Sequence, residues 1–370
     1  MKIKAAVLNG AHQKLQVTDV ELDAPKENEV LVKIIASGIC HSDTGPINND
    51  RPGLYPTILG HEGAGIIEKV GPNVNDFSIG DHVVVSFASC GKCKFCRAGL
   101  PGACLRWGQL NSGPMYDGTY RLHTEDGQNI AATFGQSSLA TYSVTNVRNL
   151  VKVDPKLDLR YLGPLGCGFM TGAGTVLHSL KPEIDDTIAV FGVGGVGLTA
   201  LMAARLLHCR HIIAVDIHQS RLKIAQELGA TEVIDSSTDD VAARIKEITN
   251  GMGLNYAIDT SGVAKIITIA MRSLAIKGTL VTLAAAQENI AVNPALDLMA
   301  FSHTLQGVIE GDSVPQIFIP QMIQLFVQND FPIDKLCKFY TLDQVNEAFA
   351  DSASGKTIKP IIVMDPAYQA

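Results

Sequence analysis

Four cysteines are packed into one short stretch of this chain, and their spacing is that of a metal-binding loop. Cys90, Cys93, Cys96 and Cys104 form a C-x2-C-x2-C-x7-C pattern that uses four of the eight cysteines. Zinc in a closed structural site takes four thiolates at tetrahedral corners about 2.3 Å from the metal. An iron–sulfur cluster also takes four thiolates. Disulfide bonds need an oxidising compartment, of which the sequence gives no sign, so the spacing predicts a metal-binding lobe.

The length and composition predict a soluble protein with two domains. A chain of 370 residues exceeds the ~250–300 residues at which a single core usually stops growing. The opening residues hold an apolar run too short for a secretion signal, and no apolar run reaches the ~18 residues of a membrane span. The net charge of −7 argues against a nucleic-acid-binding surface. We therefore expect a cytoplasmic protein that binds neither nucleic acids nor membranes.

The first 150 residues or so have the pattern of a mostly antiparallel β-structure. Short apolar segments such as Glu29–Ile35 and Asp81–Ser86 are separated by glycine and proline, which is typical of a β-barrel or sandwich. The pattern changes around residues 160–180 and becomes mixed again beyond about 305. We therefore assign residues 1–168 and 310–370 to one domain and residues 169–309 to a second.

The second domain alternates apolar strands with amphipathic helices, which predicts βαβ units on a doubly wound parallel sheet. A G-x-G-x-x-G fingerprint follows its first strand directly and opens a helix; its residues are Gly192, Gly194, Gly195, Val196 and Gly197. Such glycines allow the backbone to approach a pyrophosphate at a helix N-terminus. Asp216 ends the next strand, where a carboxylate accepts ribose hydroxyls and repels a 2′-phosphate. The pattern favours NAD over NADP, although the guanidinium of Arg221 could accommodate a phosphate.

Three further motifs stand beside the four-cysteine lobe and the glycine fingerprint: Cys40-His-Ser-Asp43, Gly60-His-Glu62 and Gly166-Cys-Gly168. In their order and spacing, these five features together resemble the zinc-dependent medium-chain alcohol dehydrogenases. The resemblance runs nearly the full length of the chain and implies a GroES-like catalytic domain beside a Rossmann domain. Within the family the chain is most similar to aryl-alcohol dehydrogenases, through the segments Leu162–Gly168, Phe134–Tyr142 and Val308–Ser313.

The resemblance implies two zinc ions per chain. Cys40, His61 and Cys167 would hold the catalytic ion, and the four-cysteine lobe would hold a structural one. Two thiolates and one imidazole leave a tetrahedral zinc with one open corner, as in catalytic sites. Glu62 would be an occasional alternate ligand, and Asp43 would hold His61 in its metal-binding tautomer.

The resemblance also implies a path for the proton of the alcohol. Ser42 would take this proton and pass it to the nicotinamide ribose. Many relatives end the relay at a histidine where this chain has Gly45, so the proton would leave to water or through His41. His41 could instead lie beside the cofactor pyrophosphate. Arg221 would contact the adenosine ribose and Lys359 the pyrophosphate.

The expected substrate is a primary alcohol, aryl or allylic, or the corresponding aldehyde. Four residues fall in segments that line the alcohol site in relatives: Phe87, Gln109, Leu110 and Phe134. An apolar pocket suits such alcohols, although core packing accounts equally well for any one of these residues. One alternative is a glutathione-dependent formaldehyde dehydrogenase, which needs basic residues at the pocket mouth and for which Arg106 and Arg121 are the candidates. The others are a general primary or secondary alcohol dehydrogenase and a catalytically silent NAD-binding relative. We expect a homodimer or homotetramer.

Overall fold

The β-rich ends of the chain fold together, and the alternating middle folds separately. The computed structural model describes residues 1–286 and 288–369. The first unit contains Met1–Gly168, Val314–Val327 and the chain from Pro332 onward. The second unit contains Phe169–Ser313 and Gln328–Phe331.

The secondary structure elements of the first unit range from strands of two residues to a helix of 13. In chain order the described strands are β1 Lys2–Leu8, β2 Gln16–Leu22, β3 Glu29–Gly38, β4 Thr57–Ile58, β5 Glu62–Val70, β6 His82–Val85, β7 Ser112–Gly113, β8 Leu122–His123, β9 Asn129–Thr133, β10 Tyr142–Asn146, β11 Leu150–Lys152, β12 Thr187–Phe191, β13 His211–Asp216, β14 Glu232–Asp235, β15 Leu254–Asp259, β16 Leu274–Thr282, β17 Thr304–Gly307, β18 Cys337–Thr341 and β19 Lys359–Val363. The described α-helices are α1 Thr44–Asn48, α2 Lys94–Arg97, α3 Trp107–Asn111, α4 Gly168–Gly174, α5 Gly195–Leu206, α6 Gln219–Leu228, α7 Val241–Ile248, α8 Ala264–Arg272, α9 Pro315–Val327 and α10 Val345–Ala353.

The first unit holds a small closed barrel and a second sheet. The first sheet runs β4-β1-β2-β8-β9-β7, and β9 also pairs with β4, which closes the barrel. The second sheet runs β11-β6-β5-β3-β19-β18, and β10 also pairs with β3. Because β19 pairs antiparallel with β3, the C-terminal part of the chain belongs to this unit. The predicted β-barrel, mostly antiparallel, is confirmed.

The second unit is the predicted parallel sheet. Its strand order is β14-β13-β12-β15-β16-β17, and every pairing is parallel. Counted from β12 this is the order 3-2-1-4-5-6 of a doubly wound dinucleotide-binding fold. Strand β12 is buried along its whole length, which explains its continuous apolar sequence. None of the described helices is long and apolar enough to cross a membrane.

Candidate metal and nucleotide sites

Strand pairing places Cys40 beside His61. Strands β3 and β5 are antiparallel neighbours, with Gly38 opposite Glu62. The chain that leaves β3 therefore reaches Cys40 close to the point where His61 leads into β5. Two residues that are 21 positions apart in sequence thus meet at one end of the sheet.

Cys167 reaches the same place from the other end of the first unit. It follows a short 3-10 helix, Gly163–Gly166, which lies against β5. The contact is so close that a Cβ at Gly163 would overlap the backbone oxygen of Glu62. The ligand atoms of Cys40, His61 and Cys167 lie within 4.8 Å of one another. The structure therefore brings together the three residues that the resemblance implied.

Asp43 fixes the orientation of the His61 ring. The Nδ1–H of His61 donates a hydrogen bond of 2.9 Å to Oδ1 of Asp43, so Nε2 carries the lone pair and faces the two cysteines. Asp43 is itself held, because it accepts hydrogen bonds from the backbone N–H groups of Gly60 and Cys40, both at 3.1 Å. This carboxylate–histidine arrangement is the usual support of a metal-binding imidazole.

The electrostatics of this cluster favour a cation. A hydrogen bond with Cys167 and the charge of His61 hold the pKa of the Cys40 thiol well below its ordinary value, although burial opposes this. Burial alone would lower the pKa of His61, but Asp43 and Cys40 raise it well above its usual range. A zinc ion binds cysteine as the thiolate, and the negative charge that Asp43 and Cys40 place around His61 is charge that a bound cation would neutralise in place of a proton. The donor set therefore fits zinc.

We predict that Asp43→Asn lowers zinc retention at this site and activity by about 10- to 100-fold. An asparagine can still accept the bond from His61, but its NH2 group then meets the backbone N–H of Cys40, which needs an acceptor. Zinc per chain and kcat/KM would be measured together. Asp76→Asn, at an exposed position, is the control. Unchanged zinc content and activity in Asp43→Asn would show that the carboxylate does not position the ligand.

The four-cysteine lobe has the geometry of a closed tetrathiolate site. The Sγ atom of Cys96 lies 3.5 Å from that of Cys93 and 4.0 Å from that of Cys90. A tetrahedral zinc with 2.3 Å bonds needs sulfur atoms about 3.8 Å apart. Backbone N–H groups of Cys96 and Leu105 lower the pKa of Cys93 to about 6, whereas burial and a hydrogen bond with Cys93 raise the pKa of Cys96 to about 12. All eight cysteines lie in the described part of the chain and are free of disulfide bonds, so this lobe fits a zinc ion as well.

Ser42 lies beside the three-ligand cluster. Its hydroxyl oxygen is 3.0 Å from Nε2 of His61 and 3.3 Å from Sγ of Cys40. The residue is exposed, so a bound alcohol and solvent can both reach its hydroxyl. His41 is also exposed, and its roles in proton transfer or cofactor binding stay predictions.

A buried ion pair that the sequence did not predict lies behind the cluster. Nζ of Lys359 donates to both carboxylate oxygens of Glu62, at 2.9 and 2.8 Å, and to the backbone oxygen of Ile39 at 3.1 Å. The two side chains are 6% and 0% exposed. Glu62 also accepts from the backbone N–H of Gly168. The expected roles of Glu62 as an alternate ligand and of Lys359 at the pyrophosphate stay predictions.

A row of aromatic rings runs up to the candidate metal ligand His61. The ring of Phe134 stacks on His61, with centroids 4.2 Å apart and an interplanar angle of 16°. Trp107 meets Phe134 edge-on at 6.0 Å, and Phe87 lies 5.0 Å from Trp107. Phe87 and Phe134 were expected near the alcohol site, whereas Trp107 was missed. Trp107 is the single tryptophan of the chain and lies three residues after the last cysteine of the lobe. This position is the signal that could have marked it as a candidate for the alcohol site.

The other sequence candidates for the pocket have different surroundings. Leu110 is buried and packs with Ala88 and Cys104 in a small core, while Gln109 is exposed and accepts a hydrogen bond from Arg106. Arg121 is only 3% exposed and donates two hydrogen bonds to Glu29. Placing Arg121 at a pocket mouth is therefore wrong, because its guanidinium is fully used inside the fold.

The glycine fingerprint forms a turn that can admit a pyrophosphate. Gly192 has a φ of +89°, and a Cβ at Gly194 would meet nothing within 4 Å. A Cβ at Gly197 would overlap the carbonyl oxygen of Gly192, so glycine is needed there for helix α5 to pack against β12. The first N–H groups of α5, at Gly195 and Val196, have no partner within the helix. These features fit the phosphates of a dinucleotide.

Asp216 and Arg221 lie together at the end of β13. Asp216 is buried and accepts hydrogen bonds from the backbone N–H groups of Val193, at 2.8 Å, and His218, at 2.9 Å. Nη1 of Arg221 is 3.9 Å from Asp216, and the buried Nε of Arg221 has no hydrogen-bond partner. A buried donor without a partner is costly, and a ribose hydroxyl of a bound nucleotide would satisfy it.

Comparisons with known proteins show which family the chain belongs to. The family model for the alcohol dehydrogenase GroES-like domain matches residues 26–155, and that for zinc-binding dehydrogenases matches residues 195–328. A geraniol dehydrogenase of Castellaniella defragrans is 39% identical over 97% of each chain. An NDMA-dependent alcohol dehydrogenase of Amycolatopsis methanolica is 36% identical over 98% of this chain and 99% of the relative. The crystal structure of benzyl alcohol dehydrogenase from Acinetobacter calcoaceticus is 40% identical, with a TM-score of 0.94 over 99% of this chain and 100% of that one.

Proposed function

This chain belongs to the zinc-binding alcohol dehydrogenase family, and from that premise we propose that it oxidises primary aryl or allylic alcohols with NAD. The observation that carries the proposal is the cluster of Cys40, His61 and Cys167 with the hydroxyl of Ser42 beside it. A zinc ion at these ligands would supply a Lewis acid that polarises the alcohol oxygen and lowers its pKa. A catalytically silent relative has no need of a three-ligand site with a hydroxyl next to it. We propose one such zinc and one at the four-cysteine lobe.

Ser42 is the proposed acceptor of the proton that the alcohol loses. Its hydroxyl lies 3.0 Å from the metal-facing nitrogen of His61, so an alcohol oxygen at the open position of a zinc ion held by this cluster would be within its reach. Ser42 would pass its own proton on as it takes the proton of the alcohol. Gly45 offers no side chain to continue this relay, so the proton would be released to the nicotinamide ribose and water, or to His41. A nicotinamide cofactor bound at the glycine fingerprint would supply the acceptor for the hydride of the alcohol carbon.

We predict that Ser42→Ala lowers kcat by about a hundredfold, the lower end of what a positioned proton acceptor contributes. Zinc content and NAD binding should stay unchanged, because Ser42 is neither a predicted ligand nor part of the nucleotide fingerprint. Ser42→Thr keeps the hydroxyl and is the matched control, with activity close to that of the unmodified protein. If Ser42→Ala turns over at the normal rate, the proton follows another route.

NAD is the proposed cofactor because of the charge at the end of β13. The buried carboxylate of Asp216 accepts hydroxyls and repels the extra phosphate of NADP. A ribose hydroxyl would also give the Nε of Arg221, which has no partner, an acceptor. Because the guanidinium of Arg221 lies 3.9 Å from the carboxylate of Asp216, both residues would act on the same ribose.

The aryl or allylic substrate is proposed from the aromatic row and from the relatives. Phe134 and Trp107 present aromatic surface next to the ligand His61, and such surface binds flat unsaturated groups. Two relatives are named after such substrates. Geraniol is an allylic alcohol, and benzyl alcohol is an aryl alcohol. The alternative of a glutathione-dependent formaldehyde dehydrogenase is weaker, because Arg121, one of the two arginines that supported it, is buried against Glu29.

One experiment tests the whole proposal. NAD and NADP reduction would be followed with benzyl, allylic, straight-chain and secondary alcohols, with and without glutathione, alongside zinc per chain. We expect two zinc ions, a preference for NAD and the highest kcat/KM with benzyl or allylic alcohols. Activity with formaldehyde only when glutathione is present would favour the alternative. Absence of turnover despite a full zinc load would favour a silent relative.

We also propose that the protein is a cytoplasmic homodimer or homotetramer. Edge strand β17 is partly exposed, and large apolar side chains nearby are exposed as well, including Met299 and Ile309 at 76% and 50%. Exposed apolar surface of this kind is typical of a contact with another subunit. Analytical ultracentrifugation of the purified protein measures the subunit number, and a monomer would contradict the proposal.

A further inference from the structure

Trp107 is attached directly to the four-cysteine lobe. Its backbone N–H donates a hydrogen bond of 2.9 Å to the carbonyl oxygen of Cys104, the last of the four thiol residues, and helix α3 begins at Trp107. The other end of α3 is fixed by Asn111, which is 6% exposed. The Asn111 side chain bonds the N–H and C=O of Ala88 and the carbonyl oxygen of Trp107, each at 2.9 Å.

The indole of Trp107 connects this lobe to the three-ligand cluster. On one side it contacts Phe87, and on the other it meets Phe134 at an angle of 90°. Phe134 in turn stacks on His61. An unbroken series of contacts, all within the first unit, therefore runs from the fourth cysteine of the lobe to a ligand of the candidate catalytic zinc.

The exposure of the rings shows which of them a ligand can contact. Phe87 is 3% exposed and acts as the buried support of the indole. Trp107 and Phe134 are only partly buried, although both are large apolar side chains next to a hydrophobic cluster. Both rings are therefore partly accessible, and a flat ring can pack against aromatic surface of this kind.

We propose that Trp107 is a specificity-determining residue, which selects flat unsaturated alcohols over saturated ones of the same size, and that the four-cysteine lobe sets this selectivity by holding Trp107 in place. The inference rests on the proposed function. It assigns the lobe a part in substrate choice in addition to the stability of the fold. Metal loss from the lobe would free Cys104, and with it the start of helix α3.

A matched pair of alcohols tests the selectivity. Benzyl alcohol and cyclohexylmethanol have the same carbon skeleton, but only the first is flat and aromatic. In Trp107→Ala the ratio of their kcat/KM values should fall about five- to tenfold, because an aromatic pair contributes that much beyond area burial. Most of the fall should come from a higher KM for benzyl alcohol. Trp107→Phe should recover most of the ratio.

Phe95→Ala is the matched control for removing an aromatic side chain from the lobe without changing its four thiols or Trp107. Phe95 lies between two of the cysteines in sequence and contacts Lys94. Its truncation should leave the ratio unchanged as long as the protein keeps its full zinc content. An unchanged ratio in Trp107→Ala, or an equal fall in Phe95→Ala at full zinc content, overturns the proposal.

Fluorescence gives a second readout that does not need turnover. Trp107 is the single tryptophan of the chain, so the tryptophan emission of the zinc-loaded protein comes from this site alone. Benzyl alcohol should change this emission with a saturating dependence, and cyclohexylmethanol should require a roughly five- to tenfold higher concentration. Removing the lobe metal with a chelator, until zinc per chain falls from two to one, should change the emission and weaken the benzyl alcohol response. If neither benzyl alcohol nor removal of the lobe metal changes the emission, the proposal is wrong.

The two hypotheses fail in different ways. If the unmodified protein reduces neither cofactor with any alcohol, the proposed function fails, and the fluorescence titration still decides whether Trp107 binds aryl alcohols. If turnover is normal but the benzyl to cyclohexylmethyl ratio does not depend on residue 107, the proposed function stands and this inference is wrong.

Discussion

Replacing Cys167 by serine is expected to release one of two zinc ions per chain and to lower kcat/KM by about three orders of magnitude. Three protein ligands hold the candidate catalytic site, and a serine oxygen is a poor substitute for a thiolate. Cys167 is 7% exposed and follows the 3-10 helix that lies against β5, so a serine there would stay in the place of the thiolate without its affinity for zinc. Without the metal no group remains that lowers the pKa of the alcohol.

Cys209→Ser is the matched control for this variant. Cys209 is as buried as Cys167, at 6% exposure, but burial raises the pKa of its thiol to about 11, so it is a neutral packing group. This variant should keep both zinc ions and nearly normal kcat/KM. A Cys167→Ser protein with two zinc ions and normal turnover would show that the cluster of Cys40, His61 and Cys167 is not the catalytic site.

The second unit could be predicted closely because its apolar strands and amphipathic helices alternate regularly. Strands β12 and β13 and helices α5 and α6 follow this alternation, and α5 begins at Gly195, inside the glycine fingerprint. The barrel was predicted only as a class. Strands such as β4 and β7 have two residues each, too few for any alternation to show, and the pairing of β4 with β9 that closes the barrel leaves no mark in the sequence.

The two candidate metal sites also differ in how closely they could be predicted from the sequence. The four-cysteine site could be predicted from spacing, because one loop supplies all its ligands. The three-ligand site could not, because its members are 21 and 106 residues apart and meet only through the β3–β5 register and the Gly163 contact; only the family resemblance linked them. The partners of charged residues could not be predicted either when the two residues are far apart in sequence and meet only in the folded structure. Arg121 was assigned to a pocket mouth although its partner Glu29 lies 92 residues away.

The largest loss of stability is expected when the buried ion pair of Lys359 and Glu62, behind the candidate catalytic cluster, is broken. Lys359→Met should lower the free energy of unfolding by about 3–5 kcal/mol. The methionine fills most of the volume of the lysine, but it leaves the carboxylate of Glu62, which is 0% exposed, without the cation that both of its oxygens contact. The remaining N–H of Gly168 satisfies only one oxygen. Urea unfolding in excess zinc measures the change.

A double variant separates the cost of the unpaired charge from the loss of the lysine itself. Glu62→Gln combined with Lys359→Met removes the buried charge together with its partner, and it should recover most of the stability that Lys359→Met loses, because a buried pair contributes little net stability when both members are removed. Lys338→Met is the control, since Lys338 pairs with Asp351 at the surface, with its own side chain 48% exposed, and such pairs contribute less than about 1 kcal/mol. If the double variant is as unstable as Lys359→Met, the lysine stabilises the sheet by its own packing and its bond to Ile39 rather than by neutralising Glu62.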